Sequence, residues 1–294
     1  MTAGVPLKAR LAARGLDAVT LLVIPALVLL VALFLYPFFY GLALSFMPKD
    51  GSWLGNYRKF FSDPFLYETI GKTLAIALPV TIVNLVAALP VAFRVRRLQH
   101  QRLVTTILVL PITLGTVLVA EGMLNYFGPQ GWFVRTLTLI GFGSPSSIKL
   151  VHNYWGVFLS LVITGFPFTF LLTLSYVSGV DTALENAAAT LGARAAARFR
   201  TIFLPLLAPG LAITFCLSFV QAYSVFPSAV LLGAPAGPTR VISIAAYEAA
   251  FEQYDYSLAS AIAMIMAATQ LIIVVAVLMS RSLFYRGPAA GAKG

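Results

Sequence analysis

Charged residues are scarce in this chain of 294 residues: they make up 10% of the sequence, whereas 60% of it is hydrophobic. A soluble domain usually carries about 25% charged residues, so this composition leaves too little polar surface to cover a water-soluble body. The mean hydropathy of +0.90 agrees with that conclusion. The scarcity of charge excludes an ordinary soluble domain and predicts an integral membrane protein.

Cysteine and histidine are almost absent, and this excludes several kinds of site. The single cysteine, Cys216, lies in an apolar run and cannot form an internal disulfide or a metal cluster. The two histidines, His100 and His152, are expected on opposite sides of the membrane and so cannot share a metal ion. The sequence also lacks a G-x-x-x-x-G-K-[S/T] phosphate loop. We therefore expect no metal, no cofactor and no catalytic residue, and any ATP hydrolysis must come from a separate protein.

Long apolar stretches are what the sequence has in abundance. Six of them are long enough to cross a bilayer core of roughly 30 Å, which takes about 20 helical residues. They cover residues 19–46, 69–93, 103–127, 151–178, 202–232 and 258–280. The predicted fold class is an all-α polytopic transmembrane bundle of about six spans. Its membrane domain covers residues 19–281, between an N-terminal tail (1–18) and a C-terminal tail (282–294).

The distribution of basic residues predicts how the bundle is oriented. Six spans place both termini on one side, and that side holds 13 basic and three acidic residues. The other side holds seven of each, so the whole net charge of +10 lies on the first side. Loops rich in lysine and arginine stay in the cytoplasm, so both termini are predicted to be cytoplasmic. The basic charge is thereby explained by contact with membrane lipid, and we expect no nucleic acid partner.

The segment between spans four and five, which we call the elbow (181–201), has an unusual composition. Its first half is rich in alanine, the strongest helix former, with Asp181 placed as a helix N-cap. Gly192 is expected to end that helix, and a short basic helix then leads to Pro205 at the membrane. Small side chains let another surface approach closely, so the elbow has the character of a docking knob.

The elbow resembles the EAA loop of binding-protein-dependent ABC importer permeases. The family pattern is Glu-Ala-Ala, three residues, Gly, six residues, Phe, two residues, Ile, one residue, Leu-Pro. The matching positions here are Ala187, Ala188, Gly192, Phe199, Ile202, Leu204 and Pro205. Asn186 stands where the family usually has glutamate, and Glu185 is displaced by one residue. Pro37 to Phe46 and Gly55-Asn56-Tyr57 are also similar to family segments.

The resemblance implies the function and the partners. The chain is expected to be an inner-membrane permease subunit that moves a small solute inward, with a cytoplasmic ABC ATPase dimer, a second permease subunit and an extracytoplasmic solute-binding protein. A heterodimer of permeases is favoured over a homodimer. The residues expected to couple to the ATPase are Glu185, Asn186, Ala187, Ala188, Gly192, Arg194, Phe199, Ile202 and Pro205.

Polar residues inside the apolar stretches are candidates for the translocation path. Glu121 lies late in span three near Asn125, and an ionisable residue in a membrane is a functional hypothesis by default. Gln221, Tyr223 and Ser224 lie in span five. The alternatives are a solvated interface for Glu121 and interhelical hydrogen bonds for the span-five group.

Other polar and helix-breaking residues are interpreted more simply. Asn84 and Gln270 are interpreted as groups that hydrogen bond between helices. Gly165 and Pro167 are expected to interrupt span four, which often marks a pathway but also occurs as ordinary bending.

The substrate is predicted less directly. The segments 218–233 and 239–243 are most similar to the family branch that handles polyamines, ferric iron, thiamine and phosphonates, and less similar to the sugar branch. Polyamine is the first choice, because Glu121 and the acids Glu248, Glu252 and Asp255 would attract a cation. Rival classes are an ATPase-independent secondary transporter, a membrane-embedded enzyme and a structural scaffold. The secondary transporter is disfavoured because there is no evident inverted repeat and because the elbow matches the importer pattern. The enzyme is disfavoured because no intramembrane cluster of His, Asp or Ser occurs, and the scaffold leaves the elbow unexplained.

Overall fold

The computed structural model describes residues 18–49, 51–141 and 150–284. Within these ranges the chain is helical and contains no strand. Six helical segments are long and apolar enough to cross a membrane, as predicted. They are Leu22–Ser45, Pro64–Val95, Gln101–Leu139, Tyr154–Ser178, Ala195–Tyr223 and Tyr256–Ser280, and they are called spans 1 to 6 below. The predicted tails, 1–18 and 282–294, lie largely outside the described residues.

Short helices fill several of the predicted loops. The predicted loop after span 1 holds a helix at Gly55–Ser62 and then the first turn of span 2, which begins at Pro64 because Asp63 caps it. The segment after Phe127 turns at Gly128–Gly131 and continues as a helix at Trp132–Leu139. These helices were not predicted, since each is only eight residues long and too short for hydropathy to separate from a loop.

Span 5 ends earlier than the sequence predicted. The apolar run continues to Leu232, but the helix stops at Tyr223 and a separate helix forms at Pro227–Leu232. Pro227 has no backbone N–H and clashes with the preceding turn, so it can begin a helix but cannot continue one. The prediction of a single span over 202–232 was therefore wrong at its C-terminal end.

The helix of span 4 is also different from the expectation. It runs without interruption from Tyr154 to Ser178 and contains Pro167, so the predicted break at Gly165 and Pro167 is absent from this described helix. The non-helical residue in the middle of a span is Gly115 in span 3, with φ +71° and ψ 162°. A positive φ is accessible to glycine at little cost, and Thr116 follows directly at the break.

Spans 2, 4 and 5 form the core of the bundle. In their most apolar windows 33%, 50% and 39% of residues are buried, against 0%, 6% and 11% in spans 1, 3 and 6. Gly210 of span 5 permits a close approach to span 4, because a Cβ there would lie 2.4 Å from the ring of Tyr176. The outer spans consequently present their apolar side chains to lipid or to another subunit.

Candidate coupling elbow and membrane cavity

The elbow has the helix–glycine–helix form that its sequence predicts. Its first helix spans Thr182–Thr190, and the Asp181 carboxylate accepts a hydrogen bond from the Ala183 N–H at 2.8 Å. The chain then reverses at Gly192, whose φ of +79° lies in the left-handed region. We call the side of the membrane that carries this segment the elbow face, and the opposite side the far face.

The second half of the elbow leads directly into span 5. Arg194 precedes a helical turn at Ala195–Arg198, and a π-helical turn at Phe199–Phe203 continues into the helix that begins at Leu204. Pro205 lies in the first turn of that helix, where its missing N–H costs nothing. Each half of the predicted elbow thus has the helical structure that was expected.

The tip of the elbow is open to solvent. None of the nine described residues of helix Thr182–Thr190 is buried, and Asn186 and Ala187 are both exposed. Leu191 is 88% exposed and Leu184 is 47% exposed. Leu184 and Leu191 are thus two exposed apolar side chains surrounded by alanines, and such a surface is suited to contact with a partner protein.

The base of the elbow packs against the end of span 2. Phe199 and Phe203 both meet the ring of Phe93 edge-on, at centroid distances of 5.7 and 5.1 Å. Ile202 beside them is half-buried. Phe199 and Ile202 were predicted as coupling residues, and the structure places them at this internal junction with the bundle.

Glu185 lies on the inner side of the elbow, where three arginines surround its carboxylate. Arg96 donates to one oxygen at 3.4 Å and Arg97 donates to the other, while the Arg198 guanidinium lies 3.8 Å away. The Glu185 side chain is 15% exposed. The displaced glutamate therefore forms ion pairs within its own chain.

Arg96 connects this cluster to two spans. Its second terminal nitrogen donates to the Val177 carbonyl near the end of span 4 at 2.6 Å. Its guanidinium also lies over the rings of Phe93 and Phe203 at 5.6 and 5.4 Å. In the sequence Arg96 is only one of the 13 basic residues on one side of the membrane, because the positive-inside rule explains such a residue without a partner.

A small cavity of about 110 Å³ lies between spans 2, 3, 4 and 5 and the helix Pro227–Leu232. Its polar lining consists of hydroxyl and amide side chains: Asn84, Thr116, Thr164, Thr169, Ser218, Gln221, Ser224 and Ser228. None of the fifteen described residues that line it is charged. A hydrogen-bonding but neutral surface of this kind can bind groups of either polarity without holding a fixed counter-ion.

Several of the lining hydroxyls bond to each other across helices. Thr169 and Ser218 lie 2.8 Å apart, and Gln270 of span 6 donates to Ser224 at 3.0 Å. The Asn84 amide donates to the Leu161 carbonyl at 3.5 Å, while its buried Oδ1 has no hydrogen-bond partner among the described residues. Both amides thus bond between helices as predicted.

The chain matches the family model "binding-protein-dependent transport system inner membrane component" over residues 82–285. The chain belongs to this family. The match begins in span 2 and includes the elbow and spans 3 to 6, so the elbow and every cavity-lining residue except Val80 lie within the family domain. The protein is accordingly a multi-pass inner-membrane permease subunit of the ABC importer type.

The names of individual relatives of this permease refer to different transported solutes. A probable sulfate transport system permease protein of Prototheca wickerhamii is 25% identical over 86% of this chain and 98% of its own length. A spermidine/putrescine transport system permease protein of Haemophilus influenzae is 29% identical over 65% and 70% of the two chains. Among solved structures, the chain is similar to a chain of a bacterial alginate ABC transporter in complex with alginate pentasaccharide-bound periplasmic protein. The TM-score is 0.79 at 22% identity, and the match covers 96% of this permease and 99% of that chain.

The predicted path residues do not all meet in this permease. Gln221 and Ser224 line the cavity, but Tyr223 is fully buried against Phe219, on another side of span 5. A helix turns about 100° per residue, so three near-consecutive residues cannot share one face. The prediction that Tyr223 lies beside Gln221 and Ser224 on the path is not supported by this placement.

Glu121 and Asn125 lie away from the cavity, on the exposed surface of span 3 towards the far face. The Asn125 amide donates to the Glu121 carboxylate at 3.5 Å. The pairing of the two residues agrees with their spacing of four along a helix.

A second ion-pair site, on the far face, was missed from the sequence. Arg240 is 1% exposed, donates to the Phe65 carbonyl at 2.7 Å and forms an ion pair with Glu248. Its guanidinium lies 3.6 Å from the centroid of the Phe65 ring. Of the three acids Glu248, Glu252 and Asp255, Glu248 is thus neutralised and Asp255 caps span 6 by accepting from the Leu258 N–H, so only Glu252 stands free of these bonds.

Proposed function

We propose that this permease takes part in ATP-driven import, with its elbow docked on a separate cytoplasmic ABC ATPase dimer. The observation that carries the proposal is the open elbow tip, where Leu184 and Leu191 lie exposed among small side chains. Such a surface buries little by itself and gains stability only when a partner covers it. On this proposal the elbow face is the cytoplasmic face, which the positive-inside distribution also favours.

The remaining partners follow from the same proposal. A second permease subunit, a different chain rather than a copy, would cover part of the exposed apolar surface of the outer spans. A solute-binding protein would deliver the solute at the far face. The alginate transporter, a protein of the same fold, is described in complex with a periplasmic protein.

The docking proposal is tested by changing Leu191 to Asp in the permease coexpressed with its ATPase. A buried carboxylate in the contact is expected to abolish copurification of the ATPase and ATP-driven uptake in proteoliposomes. Leu139 provides a matched control, because it is also 88% exposed but is the last residue of span 3, towards the far face. Leu139→Asp should leave the ATPase bound, and an unchanged complex with Leu191→Asp would reject elbow docking.

We further propose that the solute passes along the cavity side of spans 3 and 5. Gln221 and Ser224 would contact it there, and Glu121 with Asn125 would meet it nearer the far face. Tyr223, which was predicted with them, is left out because it packs inside the bundle. The neutral cavity lining offers hydrogen bonds without a fixed charge.

For the substrate, polyamine remains the proposal, supported by the spermidine/putrescine relative and by the exposed Glu121 carboxylate. A second candidate, an oxyanion such as sulfate, is favoured by the neutral hydroxyl lining and by the sulfate relative. Uptake of labelled spermidine and of labelled sulfate into proteoliposomes containing the whole transporter decides between them.

Glu121→Gln sharpens that decision. If the cargo is a polyamine, this change should lower spermidine uptake about tenfold, as loss of a charge-assisted contact does. Glu68→Gln, a change in an exposed helical ion pair with Lys72, is the control and should leave uptake unaltered. Sulfate uptake that is indifferent to both changes would remove the polyamine proposal.

A further inference from the structure

The elbow helix lacks the apolar packing that normally fixes a helix in place. Of its nine described residues, only Glu185 and Ala188 are even partly shielded from solvent. These two are three residues apart, so they lie on one side of the helix and define its inner face. A methyl group contributes little, and the Glu185 carboxylate is therefore the principal group that holds the helix against the bundle.

The partners of this carboxylate belong to different parts of the bundle. Arg96 and Arg97 follow the last turn of span 2, while Arg198 comes from the second half of the elbow. Arg96 also donates to the Val177 carbonyl of span 4. Through one side chain the elbow helix is thus joined to the ends of spans 2 and 4 and to the chain leading into span 5.

We propose that Glu185 is a positioning residue, which transmits movement of the elbow to spans 2 and 4, and not a contact to the ATPase. The inference rests on the proposed docking function and assigns a separate task to the inner side of the same helix. Asn186, on the solvent side, remains available to the partner. When the ATPase moves the tip, the Glu185 cluster makes the ends of the spans move with it.

The burial of the cluster explains why it can transmit force. Glu185 is 15% exposed and Arg96 only 6%, so their attraction is little screened by salt, whereas Arg97 is 54% exposed and contributes less. Removing the carboxylate leaves three arginines close together without a counter-charge. The elbow helix would then lose the principal side-chain contact that holds it against the bundle.

The test compares Glu185→Gln with the control Glu68→Gln in the complete transporter. Three quantities are measured: copurification of the ATPase, ATP hydrolysis, and solute taken up per ATP hydrolysed. Glu185→Gln is expected to keep the ATPase bound and hydrolysing while uptake per ATP falls roughly tenfold, the size of a typical coupling between sites. Glu68→Gln should match the unmodified protein in all three.

Two results would overturn the proposal. Loss of the ATPase from the Glu185→Gln complex would mean that Glu185 contacts the partner directly. Unchanged uptake per ATP would mean that it transmits nothing. Failure of the docking proposal is distinguishable, because in that case Leu191→Asp would also leave the ATPase-driven reaction intact.

A charge exchange distinguishes a specific loss of coupling from misfolding of the variant. Glu185→Arg should lose coupling, and adding Arg97→Glu to it should recover part of the uptake per ATP, since an opposite pair is formed again at the same place. Recovery supports a positional role whatever the yield of the single variants. A double variant that folds, binds the ATPase and recovers no coupling contradicts it.

Discussion

Arginine–glutamate pairs lie at both faces of the permease, and the two sites use the same chemical parts differently. In each, a buried arginine lies over an aromatic ring, donates to a carbonyl at a helix end and pairs with a glutamate: Arg240 with Glu248 at the far face, Arg96 with Glu185 at the elbow face. At the far face one arginine meets one glutamate. At the elbow face three arginines share one carboxylate.

The difference in charge balance indicates a difference in task. The far-face pair is neutral and its arginine is 2% exposed, so it is suited to fixing the loop before span 6 to the start of span 2. The elbow cluster has an excess of two positive charges and opens to solvent at Arg97. A neutral pair built on a buried arginine is suited to a permanent junction, whereas a cluster with excess charge and an exposed arginine can rearrange during a transport cycle.

The largest effect is expected from Arg240→Met. This change leaves the Glu248 carboxylate uncompensated and the Phe65 carbonyl without its donor. The free energy of unfolding should fall by about 3 kcal/mol, the low end for a broken buried pair, because the Glu248 side chain is 24% exposed. Thermal unfolding in detergent measures it. Arg58→Met, at an exposed far-face position, is the control and should change stability very little.

The double variant Arg240→Met with Glu248→Leu tests whether the far-face pair does more than fix the structure. Replacing both charges by apolar groups of similar size is often close to neutral for stability. We expect the double variant to recover most of the lost stability and to transport normally. A stable double variant that fails to transport would show that the far-face charges move during the cycle.

Much of the fold could be predicted because its signals are local. Twenty apolar residues predict a span wherever they occur, and Asp181, the alanines and Gly192 each act on their own few residues of backbone. The end of span 5 was missed because hydropathy does not register the break between Tyr223 and Pro227. The break in span 3 was missed because Gly115 is an isolated glycine in an apolar run, and Pro111 is the stronger helix breaker in the same span.

The partners within each site could not be predicted, since they come from distant parts of the chain. Arg240 meets Phe65, 175 residues away, and Arg96 meets Glu185, 89 residues away. A single sequence gives the charge of Glu185 but not the direction in which it points. The acids Glu248 and Asp255 were therefore interpreted as a surface for cations, although both carboxylates are engaged within the chain.

Arg96→Met should have a smaller effect on stability than Arg240→Met. Glu185 keeps Arg97 and Arg198, and the Val177 carbonyl still accepts from the Val180 N–H at 3.4 Å. The free energy of unfolding should therefore fall by about 1–2 kcal/mol, towards the low end for a hydrogen bond to a charged group. Equal losses for the two arginines, measured under the same conditions, would contradict the distinction between a permanent and an adjustable junction.

The smallest effect on stability is expected from Gly192→Ala, at the turn of the elbow. A Cβ there meets no described atom within 4 Å, so the cost of about 1–2 kcal/mol arises from the left-handed backbone alone. Because the elbow helix has little packing to lose, it should shift locally while global unfolding changes by roughly 0.5 kcal/mol or less. Uptake per ATP should nevertheless fall, and Gly192→Asn should fall less, since asparagine tolerates this backbone better than alanine. If alanine and asparagine behave alike, the geometry of the turn does not contribute to coupling, and the Glu185 cluster alone must position the tip.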